Sequence, residues 1–395
     1  MKFSILLPTR NRLEYLKLAV ESVRRQDFGD WEIVISDNDS VDDIGGYVHE
    51  LGDPRVVCIR TERSVPVTEN WNRALAQSSG DYLIMLGDDD ALMAGYLSRM
   101  DRLTREFEQP DLIYGKTLLF TYPGVDPVHP SGLVMENGCA EFFAGAREPF
   151  LLDPAAAREL VREAMDFRLR YDFNAQFALV GRHLIDSLAQ YGDFYQSAFP
   201  DYYSMNAAFL TAQRIVVDPE ARVIVGVTPK SYGFFHVNRR ESEGRSFLEG
   251  AAAAPSSGTN INVGWLSAMQ ALEQGPGSAA GLQVDLRRYR LVQAGHVYLS
   301  YRSGATSREE VRAFERELPI AERWIYRSAD ASLAMVHRLL PQRLKAAWAS
   351  LAARRVGQMP QVAPAMMEGR FNDVLELIDA CGDAPGGRLL SHGLR

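Results

Sequence analysis

The sequence has 395 residues, of which 46% are hydrophobic and 24% charged, a composition typical of globular proteins and unlike that of disordered or fibrous chains. Its 51 acidic residues outnumber the 43 lysines and arginines, for a formal net charge of −8. That balance argues against a nucleic-acid partner, because nucleic-acid binders usually present a basic surface.

The first hundred residues alternate between strand-like and helix-like patterns. Phe3 to Leu7 is a continuous apolar run that ends at Pro8, as expected of a strand covered on both faces, and it is too short for a signal-peptide core. Asn11 and Glu14 have the spacing of a capping box at the start of a helix. The alternation predicts a parallel α/β sheet with right-handed crossovers. The predicted strands and helices here cover residues 3–7, 13–26, 31–35, 56–60, 69–77 and 82–86.

Polar residues follow three of the four predicted strands, at the point where each strand ends. They are Thr9-Arg10-Asn11, the run 36–40 and the acidic run 88–90. Ligands of open α/β sheets bind beyond the carboxyl ends of the strands, and parallel strands share that edge. The sequence therefore predicts one binding site rather than three unrelated loops.

Beyond residue 111 the pattern loosens. Residues 241–259 are small and polar, which is typical of a mobile loop or linker, and helical patterns dominate from residue 261 onwards. No run of 18 apolar residues occurs, so no membrane-spanning helix is predicted. Three widely spaced cysteines form no C-x-x-C pair, which favours a reducing cytoplasm over a disulfide framework or a zinc ribbon. The strands and helices predicted before the linker cover residues 111–120, 155–169, 182–190, 201–213 and 223–227.

Three adjacent carboxylates, Asp88 to Asp90, repel one another unless a positive charge lies among them. A divalent cation that also binds a diphosphate would resolve this repulsion. The competing interpretation is an acidic turn that caps the next helix. The strand 82–86 would place the acidic run at the edge of the sheet, where ligands bind, and this favours the interpretation as a cation site.

The run Phe3 to Arg12, the turn Ser36-Asp37-Asn38 and the run Gly87 to Asp90 together resemble glycosyltransferase family 2, the inverting enzymes of the GT-A fold. The resemblance is strong over about the first 100 residues and weaker through 170–240. It implies an α/β fold with a mostly parallel sheet flanked by helices. On this basis we expect a catalytic domain over 1–240, a mobile loop or linker over 241–259 and a helical region over 260–395. Within the catalytic domain, residues 1–110 would bind the nucleotide-sugar and residues 111–240 the acceptor.

The resemblance also implies which residues bind the nucleotide-sugar donor. Asp37 would accept a hydrogen bond from the imide N–H of a uracil, and Arg63 would face the base or the diphosphate unless it is an ordinary surface arginine. The full set of expected donor-binding residues is Pro8, Thr9, Arg10, Asn11, Asp37, Asn38, Arg63, Asp88 and Asp89.

The family's metal motif, for Mn²⁺ or Mg²⁺, fits the acidic run in two registers. One assigns Asp88 to the ribose and Asp90 to the metal, and the other places Gly87 at the family's first aspartate and Asp89 on the metal. His236 is a further candidate because some relatives use a histidine there to contact the metal or diphosphate. A core or surface histidine is the competing interpretation.

An inverting transfer needs a carboxylate that accepts the proton of the acceptor hydroxyl. The family places this base about a hundred positions after the metal motif, at the start of a helix, and Asp201 after Pro200 fits. Apolar neighbours would raise its pKa. A plain N-cap aspartate is the alternative role, and Asp193 and Asp172 are alternative bases.

The expected function is thus transfer of a sugar, from a UDP-sugar in the first instance, to a hydroxyl of a glycan or lipid-linked acceptor in polysaccharide biosynthesis. A nucleotidyltransferase and a non-catalytic nucleotide-sugar-binding scaffold are the rival hypotheses. The basic, partly amphipathic segment 336–355 is compatible with peripheral contact at the inner face of the membrane. A helix packed on the catalytic domain, or a homodimer contact through the helical region, is the simpler explanation of that segment.

Overall fold

The computed structural model describes residues 1–137, 141–231, 234, 261–302, 304–339 and 366–382. Within them, strands form one mixed sheet flanked by helices, which confirms the predicted α/β fold. The strands are β1 (Phe3–Thr9), β2 (Trp31–Asp37), β3 (Val56–Arg60), β4 (Tyr82–Met85), β5 (Ala91–Leu92), β6 (Leu112–Thr121), β7 (Leu133–Asn137), β8 (Phe150–Leu152), β9 (Ala178–Gly181), β10 (Ile215–Val227) and β11 (Met366–Glu368). The helices are α1 (Leu13–Arg24), α2 (Ile44–Leu51), α3 (Val67–Gln77), α4 (Tyr96–Glu106), α5 (Pro154–Met165), α6 (Arg182–Leu188), α7 (Pro200–Thr211), α8 (Ile261–Gln274), α9 (Pro276–Ala279), α10 (Leu286–Arg302), α11 (Arg308–Glu317), α12 (Ile320–Leu339) and α13 (Val374–Cys381).

The first four strands lie in the order β3-β2-β1-β4, and each neighbouring pair is parallel. Successive β1 side chains enter different cores: Leu6 belongs to one buried cluster, whereas Ile5 and Leu7 belong to the other. A strand buried on both faces needs apolar residues at every position, which explains the continuous apolar run in the sequence. Every predicted strand and helix of this half is present in the predicted order, and α2, β5 and α4 are additional.

The second half of the sheet is joined to the first by antiparallel pairs. Strand β9 pairs with both β4 and β6, and β10 runs parallel to β6. Strand β10 covers 13 residues, whereas the sequence predicts only its end, 223–227. Its register shifts between Asp218 and Val223, because Asp218-Pro219-Glu220 interrupts the apolar pattern and forms a bulge.

Asp218 at this bulge forms a buried ion pair with Arg99 of α4. Arg99 Nε and Nη2 donate to the two carboxylate oxygens, each at 2.7 Å. We expect Arg99→Met to lower the free energy of unfolding by about 3–5 kcal/mol, because Asp218 would be left as an unpaired buried charge. Arg102→Met, an exposed position one turn along α4, should change it by less than about 0.5 kcal/mol. Urea denaturation measures both, and equal effects would contradict this assignment.

The C-terminal region is helical, as predicted, with one added strand. Helices α8 to α12 follow the linker, and Trp265 of α8 lies in the main core, with its indole N–H donating to the Ala164 carbonyl at 3.1 Å. Residues 366–381 then return to the sheet, where β11 pairs antiparallel with β7. Helix α13 contributes to a core cluster that also contacts side chains of α1. The described part of 260–395 is therefore helical except for β11, which the sequence analysis did not predict.

The segment proposed to lie on a membrane, 336–355, falls largely outside the described residues, as does the predicted linker 241–259. In the described part of the chain, no helix combines the length and the apolar character needed to cross a bilayer. The domain boundaries, the membrane contact and the homodimer stay predictions.

Candidate active site

The polar ends of β1, β2 and β4 lie together, as predicted. Thr9 is directly opposite Asp37 in the parallel register of β1 and β2, and the Asn38 N–H donates to the Thr9 carbonyl at 2.9 Å. On the other side, Thr9 Oγ1 donates to Asp88 Oδ2 at 2.7 Å. The edge of the parallel strands therefore joins residues that are far apart in sequence into one polar site.

Asp88 and Asp89 share one positively charged partner, the guanidinium of Arg12. Its Nη1 donates to Asp88 Oδ1, and its Nη2 lies 3.2 Å from Asp89 Oδ2. The same Asp89 oxygen accepts hydrogen bonds from Ser231 Oγ and from Thr228 Oγ1, the latter at 3.3 Å. Both carboxylates are buried, at 2% and 7% exposed. Two acidic side chains thus converge on one cation.

Asp90 has a different environment. Its Oδ2 accepts from the Gly87 N–H at 2.6 Å and its Oδ1 from the Gly226 N–H at 2.8 Å, while Gln176 adds a side-chain hydrogen bond. Strand β5, directly after the acidic run, pairs antiparallel with β10 and so brings Gly226 against it. Asp90 therefore ties the acidic turn to β10.

The acidic cluster holds more negative charge than Arg12 balances. Burial raises the pKa of Asp88, an effect that Arg12 opposes and Asp89 reinforces. Burial and the neighbouring Asp89 also raise the pKa of Asp90. Burial acts to lower the pKa of Arg12, but the charges of Asp88 and Asp89 outweigh it and raise that pKa. The site thus favours a further cation.

The donor set suits a hard divalent cation. Carboxylate and hydroxyl oxygens are the ligands that Mg²⁺ and Mn²⁺ prefer, and the position of Arg12 marks where positive charge is stabilised between Asp88 and Asp89. Within the described residues, no group of three or more His, Cys, Asp or Glu side chains forms a ready metal site. A metal held by Asp88 and Asp89 would take its remaining ligands from its substrate.

The residues expected at the base end of the donor are largely engaged with the protein. Asp37 is 1% exposed, and its carboxylate accepts from the Ser40 N–H at 2.9 Å and from Arg60 Nη1 at 3.0 Å. The Asn38 side chain exchanges two hydrogen bonds with the backbone of Val65, at 2.8 and 2.9 Å. Asn38 thus holds the loop that precedes α3, whereas Asp37 holds the turn after β2 against the end of β3. A direct contact of Asp37 with a base stays a prediction.

The other expected donor-binding residues vary in exposure. Arg10, at the end of β1, and Arg63, in the loop between β3 and α3, are exposed, whereas Pro8 is half-buried. Exposure leaves both guanidinium groups accessible to a ligand. Their contact with a donor stays a prediction.

The predicted capping box at α1 is wrong. The N-cap residue is Arg12, with no side-chain cap, and Asn11 has a left-handed φ of 56°. The Asn11 side chain accepts instead from the Val41 N–H at 2.7 Å, and Asp42 accepts from the Leu13 N–H at 3.0 Å. A contact with a neighbouring loop thus replaces the local cap, and Arg12 points into the acidic cluster.

Asp201 lies in the first turn of α7, as predicted, after Pro200 at the first helical position. The N-cap is Phe199, so the alternative role of Asp201 as a plain N-cap is wrong. Burial raises the pKa of Asp201 to about 7, even though the Tyr202 N–H donates to its carboxylate at 3.1 Å. A carboxyl group with a pKa near neutrality suits a general base.

The loop before Asp201 is fastened to α3. The Asn72 side chain bonds both the carbonyl and the N–H of Tyr195, at 2.8 and 3.2 Å, and Thr68 Oγ1 donates to the Ser197 carbonyl at 2.5 Å. Ser197 has a left-handed φ of 69°. These bonds connect the loop to the same half of the sheet that carries the acidic cluster.

The alternative bases Asp193 and Asp172 are exposed and half-buried, respectively. Neither lies in the first turn of a helix, as Asp201 does. His236 lies outside the described residues, so its expected contact with a metal or diphosphate stays a prediction.

The sequence analysis missed three residues of the acidic cluster: Arg12, Thr228 and Ser231. Thr228 directly follows the predicted strand 223–227 and Ser231 lies three residues later, so the rule that located the other strand-end clusters also applies to them. The signal for Arg12 was its place at the end of the first motif. Its partner could not be predicted, because Asp88 is 76 positions away.

Residues 4–122 match the profile of glycosyl transferase family 2. The PGL/p-HBAD biosynthesis glycosyltransferase of Mycobacterium bovis is 31% identical over 202 residues, which cover 49% of this chain and 77% of that protein. The chain belongs to glycosyl transferase family 2. As a member of that family, it is a glycosyltransferase.

Two further similarities of this family 2 enzyme extend the comparison. The GalNAc(5)-diNAcBac-PP-undecaprenol beta-1,3-glucosyltransferase of Campylobacter jejuni is 36% identical over 108 residues, which cover 27% of this chain and 35% of that enzyme. The crystal structure of S. aureus TarS 1-349 in complex with UDP-GlcNAc has a TM-score of 0.51 and 16% identity, and covers 82% of this chain and 79% of that one. The structural likeness supports the GT-A-like fold.

Proposed function

We propose that this family 2 enzyme is a divalent-metal-dependent, inverting glycosyltransferase that moves a sugar from a UDP-sugar to a hydroxyl of a lipid-linked glycan. The observation that carries the proposal is the convergence of Asp88 and Asp89 on one cationic position at the ends of parallel strands. A buried pair of carboxylates at a sheet edge is suited to hold a metal–diphosphate.

The names of two relatives support the choice of substrates. The C. jejuni relative is a beta-1,3-glucosyltransferase acting on an undecaprenol diphosphate glycan. An Escherichia coli relative, 30% identical over 94 residues, is a UDP-Glc:alpha-D-GlcNAc-diphosphoundecaprenol beta-1,3-glucosyltransferase. UDP-glucose is therefore the first donor to test. A lipid-linked acceptor would bring the enzyme to the inner face of the membrane.

The side chains divide the proposed chemistry between two places. Asp88 and Asp89 would hold the ion, which acts as a Lewis acid toward the diphosphate leaving group. Asp90 is less suited as a ligand, because both of its oxygens accept backbone N–H bonds. Asp201 accepts the proton of the acceptor hydroxyl as that oxygen attacks the anomeric carbon from the face opposite the diphosphate. Attack from that face inverts the anomeric configuration.

Donor hydrolysis measured with UDP-, GDP- and dTDP-sugars, with Mn²⁺ or Mg²⁺, tests the proposal. We expect UDP to be released from UDP-glucose, and Asp89→Asn to lower the rate by about 10²–10³, the range for loss of one group that stabilises developing charge. EDTA should abolish the wild-type rate. Glu106→Gln, an exposed neutralisation on α4, is the matched control and should leave it unchanged.

Three other outcomes would contradict the proposal. Formation of pyrophosphate from UTP and glucose 1-phosphate, without UDP release from UDP-glucose, would instead support a nucleotidyltransferase. Tight donor binding without turnover, even with lipid-linked acceptors, would support the scaffold. If the wild-type rate resists EDTA and Asp89→Asn has the same rate as wild type, the mechanism does not use a metal.

A further inference from the structure

We propose that Arg12 makes binding of the divalent ion conditional on binding of the donor diphosphate. In the structure its guanidinium holds the place between Asp88 and Asp89, and we infer that it leaves this place only when the diphosphate offers it another anionic partner. The inference rests on the proposed metal dependence and adds a residue with a defined role in the order of binding.

Arg12 occupies the place that the ion would take. Arg12 contacts one oxygen of Asp88 and one of Asp89, and its Nη2 also donates to Thr228 Oγ1 at 3.2 Å and to Ser231 Oγ at 3.0 Å. A divalent ion that binds the same two carboxylates would lie within a few ångströms of the guanidinium. Like charges at that separation repel strongly in a buried site. Arg12 and the ion therefore compete.

Once released from the carboxylates, the guanidinium of Arg12 could bind the donor diphosphate. Arginine pairs with phosphate oxygens through two parallel N–H bonds, a geometry that carboxylates and phosphates share. Arg12 lies at the N-cap of α1, directly after the end of β1, where a ligand of the sheet edge would be placed. Its Nε is buried and makes no hydrogen bond within the described structure. A diphosphate beside the acidic cluster could take both Nε and an Nη.

Binding of the diphosphate and binding of the ion are thermodynamically linked. If the diphosphate removes Arg12 from the carboxylates, it raises the affinity for the ion, and the ion must raise the affinity for the nucleotide by the same factor. A structural ion pair would have no such effect, because Arg12 would stay in place whether or not nucleotide is bound. A role in the order of binding and a purely structural role of Arg12 therefore differ in whether the diphosphate and the ion raise each other's affinity.

The experiment measures Mn²⁺ binding to the full chain by the EPR signal of free Mn²⁺, with and without UDP, corrected for the Mn–UDP complex formed without protein. In wild type we expect UDP to raise Mn²⁺ affinity by about 50-fold, within the usual range of coupling between ligands. In Arg12→Met, Mn²⁺ alone should bind about 10-fold tighter, and the enhancement by UDP should fall to about 5-fold or less. Arg25→Met, at the exposed C-cap of α1, controls for removal of one positive charge and should match wild type.

Circular dichroism shows whether Arg12→Met folds. If it does not, Arg12→Lys, which keeps the positive charge, tests the inference in its place. One ammonium group cannot bridge two carboxylates as the guanidinium fork does, so the enhancement by UDP should fall to less than half of the wild-type value. An unchanged enhancement in the folded Arg12 variants would overturn the inference. Absence of Mn²⁺ binding to wild type, even with UDP, would instead refute the metal dependence in the proposed function.

Discussion

The Gly226→Ala variant is expected to be destabilised and to lose Mn²⁺ binding. A Cβ atom at this position would lie 1.9 Å from the carbonyl oxygen of Asp89 and 2.8 Å from its carbonyl carbon. Both are backbone atoms, so no side-chain rotation can relieve the contact. Strand β10 would have to move away from the acidic turn and break the bond from the Gly226 N–H to Asp90. We expect a loss of about 3 kcal/mol in the free energy of unfolding, the upper end of the usual cost of overpacking.

Gly295→Ala is the matched control for this substitution. Gly295 lies within α10, and an added Cβ would meet no atom within 4 Å. Alanine is the better helix former, so this variant should gain about 0.5–1 kcal/mol. Urea denaturation and Mn²⁺ EPR measure both variants. Equal stabilities, or a Gly226→Ala protein with wild-type Mn²⁺ binding, would show that β10 does not position the acidic turn.

The parallel half of the fold could be predicted because its strands are buried on both faces. In such strands the apolar pattern is continuous, and the polar residue that ends it marks the sheet edge, as Thr9 does for β1. The adjacency of Thr9 and Asp88 then follows from the parallel order alone. These predictions need no knowledge of side-chain contacts.

The acidic cluster's partners could not be predicted in the same way. Thr228 and Ser231 reach Asp89 because β10 pairs with β5, a strand of two residues. Two residues carry no periodicity, so no pattern in the sequence reveals the pairing. Strand β11, with three residues, escaped prediction for the same reason.

The error at α1 has a different cause. Asn11 and Glu14 satisfy the local rule for a capping box, but a hydrogen bond between Asn11 and the backbone of Val41 competes with it. Local rules fail where a neighbouring loop offers a better partner. Here the failure lies at the site itself, because it places Arg12 at the N-cap and directs its side chain to the acidic cluster.

Asp201→Asn is expected to lower kcat for transfer to an acceptor by about 10²–10⁴, the usual contribution of a general base. Donor binding should be unchanged, because the hydrogen bond to the Asp201 carboxylate comes from within α7 and does not connect it to the acidic cluster. Asp193→Asn, in the loop that leads to α7, is the matched control and should keep activity within a few-fold. If Asp193→Asn loses transfer activity and Asp201→Asn keeps it, Asp193 is the base instead of Asp201.

The pH dependence gives this prediction a second test. Burial raises the pKa of Asp201 to about 7, and only the ionised carboxylate can accept the acceptor's proton. Activity should therefore be about half of its maximum at pH 7, approach the maximum about one pH unit higher, and fall about tenfold per pH unit at lower pH, because it follows the ionised fraction. A profile that stays flat down to pH 5 would exclude a base with this pKa.

The same raised pKa has a consequence for stability with the opposite pH trend. Between the pKa of an unfolded aspartate, near 4, and about 7, the folded protein binds the Asp201 proton more tightly than the unfolded chain does. Ionised Asp201 therefore costs stability, and the full cost is present above pH 7. Asp201→Asn removes that cost, so the variant should gain stability relative to wild type as the pH rises from 5 to 8. A carboxylate kept for structure would behave in the opposite way: its loss would destabilise the protein most at high pH. Thermal unfolding of both proteins at pH 5 and pH 8 separates the two roles without any assay of sugar transfer.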